Sequence, residues 1–265
     1  MIKKLRIILG FLLLGVAVFF GVKYFLDVYS PTDLETEQYG PGYVEIQVAE
    51  YPDLNEPIGE FVEAVTSDEE MTADFEALQA LNPDIYAWLE IPGTDISYPI
   101  VQDPVDDSFY LRHNSDREYS AGGAIYSEAT YNSTEFNDPV TILYGHHMNA
   151  GNLMFGRLEE YFTDTEFLNS DPIIRIYTPD EVLEYNVFAA VPFNNYHILY
   201  YNEMGDSSIF RSFFQTVLNT RELGAYTNEA YLPTDPESDR VLILSTCLTG
   251  NTSRRFLVMA TLSDQ

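Results

Sequence analysis

Apolar positions in this chain follow two rhythms, and the change between them falls at Asn82-Pro83. Phe75, Leu78, Ala80 and Leu81 recur at helical spacing and stop there, because proline disfavours helix in the residue before it. Downstream come short runs rich in Val, Ile, Tyr and Phe, cut by turn residues such as Pro92-Gly93 and Pro179-Asp180. They predict strands over 87–91, 96–101, 123–127, 140–144, 173–177, 182–191, 241–247 and 256–262. Eight short strands with few helices between them predict a mainly β fold with accessory helices, a barrel or a sandwich. Two interruptions read as helices, one near 153–162 and one over 207–219. The second repeats Ile209, Phe210, Phe213, Phe214, Val217 and Leu218 on one face, with Asp206 or Ser207 available as N-cap. It lies in a long excursion from about Phe193 to Asp239, so it either walls a binding groove or is an ordinary packing helix.

The first 26 residues differ from all of this. Lys3, Lys4 and Arg6 precede an uncharged stretch from Ile7 to Val22, and Tyr24-Phe-Leu26 follows Lys23. That length spans a bilayer if Lys23 snorkels to the interface, and the positive-inside rule puts the N-terminus in the cytoplasm with the remainder outside. A cleavable signal peptide is the alternative, although no small-x-small cleavage site follows the apolar core. Residues 27–70 are rich in Pro, Gly and Glu with little periodicity, which suits an extracellular stalk. Residues 71–265 then provide enough chain for one well-cored domain and too little for two.

Charge narrows the partners. The chain carries a formal net charge of −29, and beyond residue 26 nine arginines face 42 carboxylates. Such a surface repels nucleic acid and anionic lipid and concentrates cationic species such as a substrate amine. An ordinary acidic extracellular surface explains the same numbers.

The candidate chemistry is sparse. Cys247 is the single cysteine, at the end of the apolar run from Val241, and it has no partner for an intrachain disulfide. A free thiol on an extracellular domain is inert by burial, bonded to another chain, or retained because its sulfur reacts. A reactive thiol needs a nearby base or positive charge to hold the thiolate. Of the four histidines, His113, His146, His147 and His197, the pair His146-His147 follows a predicted strand through Gly145. Arg254 and Arg255 open the strand after Cys247, so a hairpin could return a guanidinium to the sulfur, where it would serve a developing oxyanion. One cysteine and scattered histidines give no closed metal-ligand set, and no cofactor is implied.

Three segments together, Tyr144-Gly-His-His-Met148 with Met154-Phe155, Leu244-Ser-Thr-Cys247, and Arg255-Phe-Leu-Val258, resemble the signatures of sortases, the membrane-anchored cysteine transpeptidases of Gram-positive bacteria. Upstream, the segments 82–94, Tyr98-Pro-Ile-Val-Gln102 and Tyr110-Leu-Arg-His113 look like the N-terminal part of class B sortases. The resemblance covers roughly 71–262. It implies an eight-stranded sortase-type β-barrel preceded by a helix, with an added helix in the connection before the cysteine strand. Carried over by position, Cys247 matches the nucleophile, His146 the family histidine directly after Tyr-Gly, and Arg255 the arginine before the last apolar strand. Arg254 beside it clouds that choice, and alternating strand geometry points the two in opposite directions. Ser245 matches a position lining the sorting-signal groove, or else is a strand serine bonded locally. The segment 248–253 is short and lacks an acidic residue, a departure from class B habit.

The implied reaction is acyl transfer through a thioester. A C-terminal signal resembling Leu-Pro-x-Thr-Gly or Asn-Pro-x-Thr-x would be cleaved after Thr and the protein passed to an amine of peptidoglycan or of a pilin subunit. Two other readings stay open: a hydrolytic cysteine peptidase, and an anchored noncatalytic adhesion or binding domain with Cys247 buried as a small hydrophobe.

Overall fold

The computed structural model describes residues 73–148 and 153–263. The segments read above as anchor and stalk lie outside the described residues. Among the described residues, no helix is long and apolar enough to cross a membrane.

Helix α1 (Phe75–Leu81) starts at Asp74, whose carboxylate accepts the Ala77 N–H, and ends at Asn82 ahead of Pro83. The strands are β1 (Ile85–Glu90), β2 (Ser97–Val101), β3 (Ile125–Tyr126), β4 (Val140–Tyr144), β5 (Ile173–Tyr177), β6 (Val182–Phe193), β7 (Tyr226–Thr227), β8 (Val241–Leu248) and β9 (Asn251–Leu262). The sheet runs β5-β1-β2-β3-β4-β8-β9-β6-β7, and β5 also pairs with β6. Eight strands therefore close into a barrel, and short β7 hangs on β6 outside the ring. Closure leaves no free edge among those eight and satisfies their backbone groups.

All eight strands predicted from apolar runs are present, with ends displaced by a few residues. The largest displacement is at β9, which starts at Asn251 rather than at 256 because its polar first residues still ladder onto β8. Strand β7 has only two residues, too short for an apolar run to announce it.

Alternation along β8 shows where the cores lie. Leu242 and Leu244 point into the barrel with Leu89, Ile100, Leu143, Ile176, Val258 and Ala260. Val241 and Ile243 point outward with Val140, Ile142, Leu257 and Met259, forming a second core. Helix α5 (Ser207–Leu218) covers that outer face with Phe210, Phe214 and Val217, and Asp206 caps it by accepting from Ser208 and Ile209. Each buried phenylalanine contributes about 1.5–3 kcal/mol of burial. A third core, with Ile85, Val101, Tyr110, Ala124 and Tyr126, lies near β1, β2 and β3.

The helix expected near 153–162 is confined to α2 (Leu158–Tyr161). Phe155 and Phe162 on either side of it are fully buried in the barrel core, so the apolar spacing there reflects plugging of one barrel end. Two further single-turn helices, α3 (Thr165–Leu168) and α4 (Ile198–Tyr201), are too short to show a period.

Candidate active site

Strands β4 and β8 lie parallel in register, Tyr144 opposite Ser245, and the ladder continues as the Gly145 N–H donates to the Ser245 carbonyl at 3.1 Å. Tyr144 faces the outside of the barrel, Gly145 faces in, and His146 returns to the outside. Gly145 has a steric reason: a Cβ there would stand 2.5 Å from Phe155 and 2.6 Å from Ile125.

Strands β8 and β9 form an antiparallel hairpin through Thr249 and Gly250, with Gly250 at φ +70°. Cys247 stands opposite Arg255, yet Leu248 stands opposite Asn251. The residues Thr252, Ser253 and Arg254 are therefore surplus on β9, a bulge that re-aims the side chains beside it. Arg255 Nη1 lies 3.7 Å from Cys247 Sγ and donates toward the carbonyls of Thr252 at 3.1 Å and Arg254 at 3.2 Å. The bulge thus holds the guanidinium over the sulfur.

Arg254 points elsewhere. It makes two bonds to the Glu222 carboxylate, at 2.7 and 2.8 Å, and one to the Phe193 carbonyl. That pairing holds the Glu222 carboxyl below its ordinary range, chiefly through the hydrogen bonds from Arg254.

His146, Ser245, Cys247 and Arg255 line one groove of about 290 Å³ on the outer face of the barrel. Cys247 is half-buried there, neither sealed in the core nor fully exposed. Ser245 is 6 % exposed, on the same outward face as Cys247. His146 Nε2 is 2.9 Å from the Leu111 carbonyl. A carbonyl only accepts, so Nε2 carries the hydrogen and Nδ1 is the nitrogen left to exchange a proton. His147 turns to the β8–β9 turn, with Nε2 3.5 Å from Thr249 Oγ1.

Several groove residues carry no motif of their own. Leu111 acts through its backbone, and Asn194 to Ile198, directly after β6, form a second wall ahead of α5, which packs against the barrel. His197 fixes that wall: its Nδ1 accepts the Tyr200 N–H at 3.1 Å, and Nε2 donates to Glu128 at 2.6 Å. Tyr126 and Tyr144 also line the groove. Burial pushes both phenols well above their ordinary range, and the Glu128 carboxylate raises Tyr144 further, so both remain neutral hydroxyls at physiological pH. A further carboxylate reaches the hairpin turn from α2, where Glu159 accepts the Thr249 N–H at 2.9 Å. Among the described residues, no group of three or more His, Cys, Asp or Glu side chains is placed to hold a metal ion.

The sequence profile of the sortase domain matches residues 89–263. The chain belongs to the sortase family. Its relatives place it in class B. It is 32% identical over 178 residues to Sortase B of Listeria monocytogenes, covering 67% of this chain and 68% of that one. A class B sortase structure from Streptococcus pyogenes, described as involved in pilus biogenesis, superposes with a TM-score of 0.59 at 30% identity, covering 72% of this chain and 98% of that one. The Staphylococcus aureus sortase B–substrate complex gives a TM-score of 0.59 at 26% identity, covering 72% of this chain and 84% of that one. Sortases are cysteine transpeptidases, and this class B sortase is one of them.

Proposed function

We propose that this sortase is a membrane-anchored extracellular transpeptidase in which Cys247 is the nucleophile, His146 the proton carrier, Arg255 the oxyanion partner, and Ser245 part of the sorting-signal groove. The observation that carries this reading is the guanidinium of Arg255 held 3.7 Å from Cys247 Sγ in a groove that His146 also lines. In the first step the Cys247 thiolate attacks the Thr carbonyl of a sorting signal resembling Leu-Pro-x-Thr-Gly or Asn-Pro-x-Thr-x. Arg255 donates to the oxyanion as the C–S bond forms. Collapse breaks the C–N bond, and His146 as imidazolium gives its Nδ1 proton to the departing amine. In the second step an acceptor amine attacks the thioester, neutral His146 takes the amine proton at Nδ1, and the C–S bond breaks to restore the thiolate. Conserving acyl energy in the thioester removes any need for ATP.

Two relatives support the substrate class: the Staphylococcus aureus enzyme is seen in complex with substrate, and the Streptococcus pyogenes enzyme is involved in pilus biogenesis. The acceptor is accordingly an amine of peptidoglycan or of a pilin subunit, and the acidic surface favours approach of a cation. The apolar segment 7–26 is the membrane anchor in this reading, with the N-terminus cytoplasmic and the catalytic domain outside.

The test is mass spectrometry of the full-length chain incubated with sorting peptides, with and without an added amine. A thioester adduct on Cys247 that disappears when amine is supplied, with matching transfer product, is expected. Hydrolysed peptide as the sole product in the presence of amine would overturn transpeptidation in favour of a peptidase.

A further inference from the structure

Loop 102–124 contains the Leu111 carbonyl that holds His146, and the groove residues themselves do not explain what holds that loop. Its short helical turn, Phe109–Leu111, is locked from the far side. Tyr110 is 1 % exposed, and its hydroxyl donates to Asp84 at 2.6 Å while accepting from fully buried Asn82 at 2.8 Å. Arg117 pairs with the same Asp84 carboxylate, reaches Asp103 at 3.3 Å, and lies with its guanidinium 4.7 Å above the Phe109 ring. The carboxylates it joins come from different parts of the chain, Asp84 before β1 and Asp103 after β2.

Two backbone features bear on how the turn is held. Arg117 has φ +65°, a left-handed conformation that a side chain of this size rarely adopts, and it persists only when its surroundings fix it. On the other side of the turn, Gly123 lies so close that a Cβ would stand 2.5 Å from the Tyr110 carbonyl oxygen and 2.8 Å from that of Leu111. The turn is clamped on one face by Arg117 and on the other by the backbone of Gly123.

We propose that Arg117, which does not line the catalytic groove, is a positioning residue for His146: by clamping Asp84, Asp103 and Phe109 it fixes the Leu111 carbonyl that keeps hydrogen on Nε2 and presents Nδ1 for proton exchange. This rests on the transpeptidase reading for its consequence in rate, though not for its consequence in tautomer. Arg117 acts through the turn and touches neither thiol nor substrate. A lysine carries the charge but lacks the fork that spans two carboxylates and lies flat on a ring.

The test compares the full-length chain with Arg117→Ala and Arg117→Lys by nitrogen-15 NMR of the histidine side chains, assigned with His146→Gln, and by steady-state acyl transfer. At a pH where the ring is neutral, the unaltered chain is expected to show His146 as a single Nε2–H tautomer, and Arg117→Ala a mixture of both. The kcat of Arg117→Ala is expected to fall about tenfold while KM stays within about twofold, since a small misplacement of the proton carrier costs rate rather than peptide binding. Arg117→Lys should regain thermal stability but only part of kcat. If Arg117→Ala does not fold, Asp103→Asn removes one carboxylate charge yet keeps an acceptor for the Val105 and Asp106 N–H groups, and it should move tautomer and kcat the same way by less. An unchanged His146 tautomer in a folded Arg117→Ala or Asp103→Asn protein would overturn the proposal, as would activity lost only in proportion to folded protein. Should the unaltered chain transfer no acyl group, the transpeptidase reading falls, and the tautomer comparison still decides the role of Arg117.

Discussion

The two walls of the groove are built by different means. One consists of strand ends, where His146, Ser245, Cys247 and Arg255 are set by ladder hydrogen bonds between β4, β8 and β9. The other, Asn194 to Ile198, belongs to the connection between β6 and β7 and is held by side chains: His197 on Glu128, and Tyr196 against the Phe193 ring. Backbone pairing is shared among many residues and yields only when the sheet does. A wall held by a few side chains yields locally, one contact at a time. The proposed chemistry thus sits on the wall that cannot drift, and the boundary that a peptide must pass sits on the wall that can.

Removing the proposed nucleophile tests the fixed wall most severely. Cys247→Ala should lower acyl transfer by at least about 10⁴-fold with no thioester adduct in mass spectra, while the melting temperature stays close to that of the parent. Next comes the contrast between adjacent arginines. Arg255→Lys should cost about 10²-fold in kcat, because an ammonium cannot reproduce the donors aimed at the oxyanion, whereas Arg254→Lys should stay within a few fold. Equal effects from both would break the assignment. On the yielding wall, His197→Ala removes both the Tyr200 cap and the Glu128 bond. Peptide titrations should show KM rising about five- to tenfold with kcat less affected, since about 1 kcal/mol of organisation is lost from a binding surface. The smallest effect belongs to Glu222→Gln. Ionised Glu222 gains from Arg254 only above its unfolded pKa, and this gain disappears as pH falls through the depressed folded value. The parent and variant should therefore differ by at most about 2 °C in melting temperature at neutral pH, and converge in acid.

The same division governs what could be read from sequence. Short apolar runs announced every strand of the barrel, because each strand presents one face to Leu89, Leu143 and Val258 and their neighbours in the interior, and several bury the other face as well. The amphipathic helix α5 was equally plain, since Phe210, Phe214 and Val217 all serve one surface. The strand-end cluster was accessible through Tyr144-Gly-His146 and the Cys247 run, because parallel ladder pairing of β4 with β8 brings the two strand ends together. The yielding wall left no comparable trace. His197 stood in the chain as one of four histidines, and nothing local indicates that it meets Glu128, 69 residues away. Leu111 contributes a carbonyl, which any residue possesses. Arg254 and Arg255 separate as strand alternation requires: the ladder sets Arg255 opposite Cys247, and Arg254 turns the other way to Glu222.

That bulge has a consequence for how the site can change over time. Because the uninterrupted ladder from Ser245 opposite Leu257 to Cys247 opposite Arg255 fixes which guanidinium overlooks the sulfur, the surplus residues beyond it absorb changes in length: a single-codon insertion or deletion there would reshape the turn while Arg255 stays opposite Cys247. Lineages with unequal lengths at this hairpin would then keep the same cation beside the thiol while varying the turn around it.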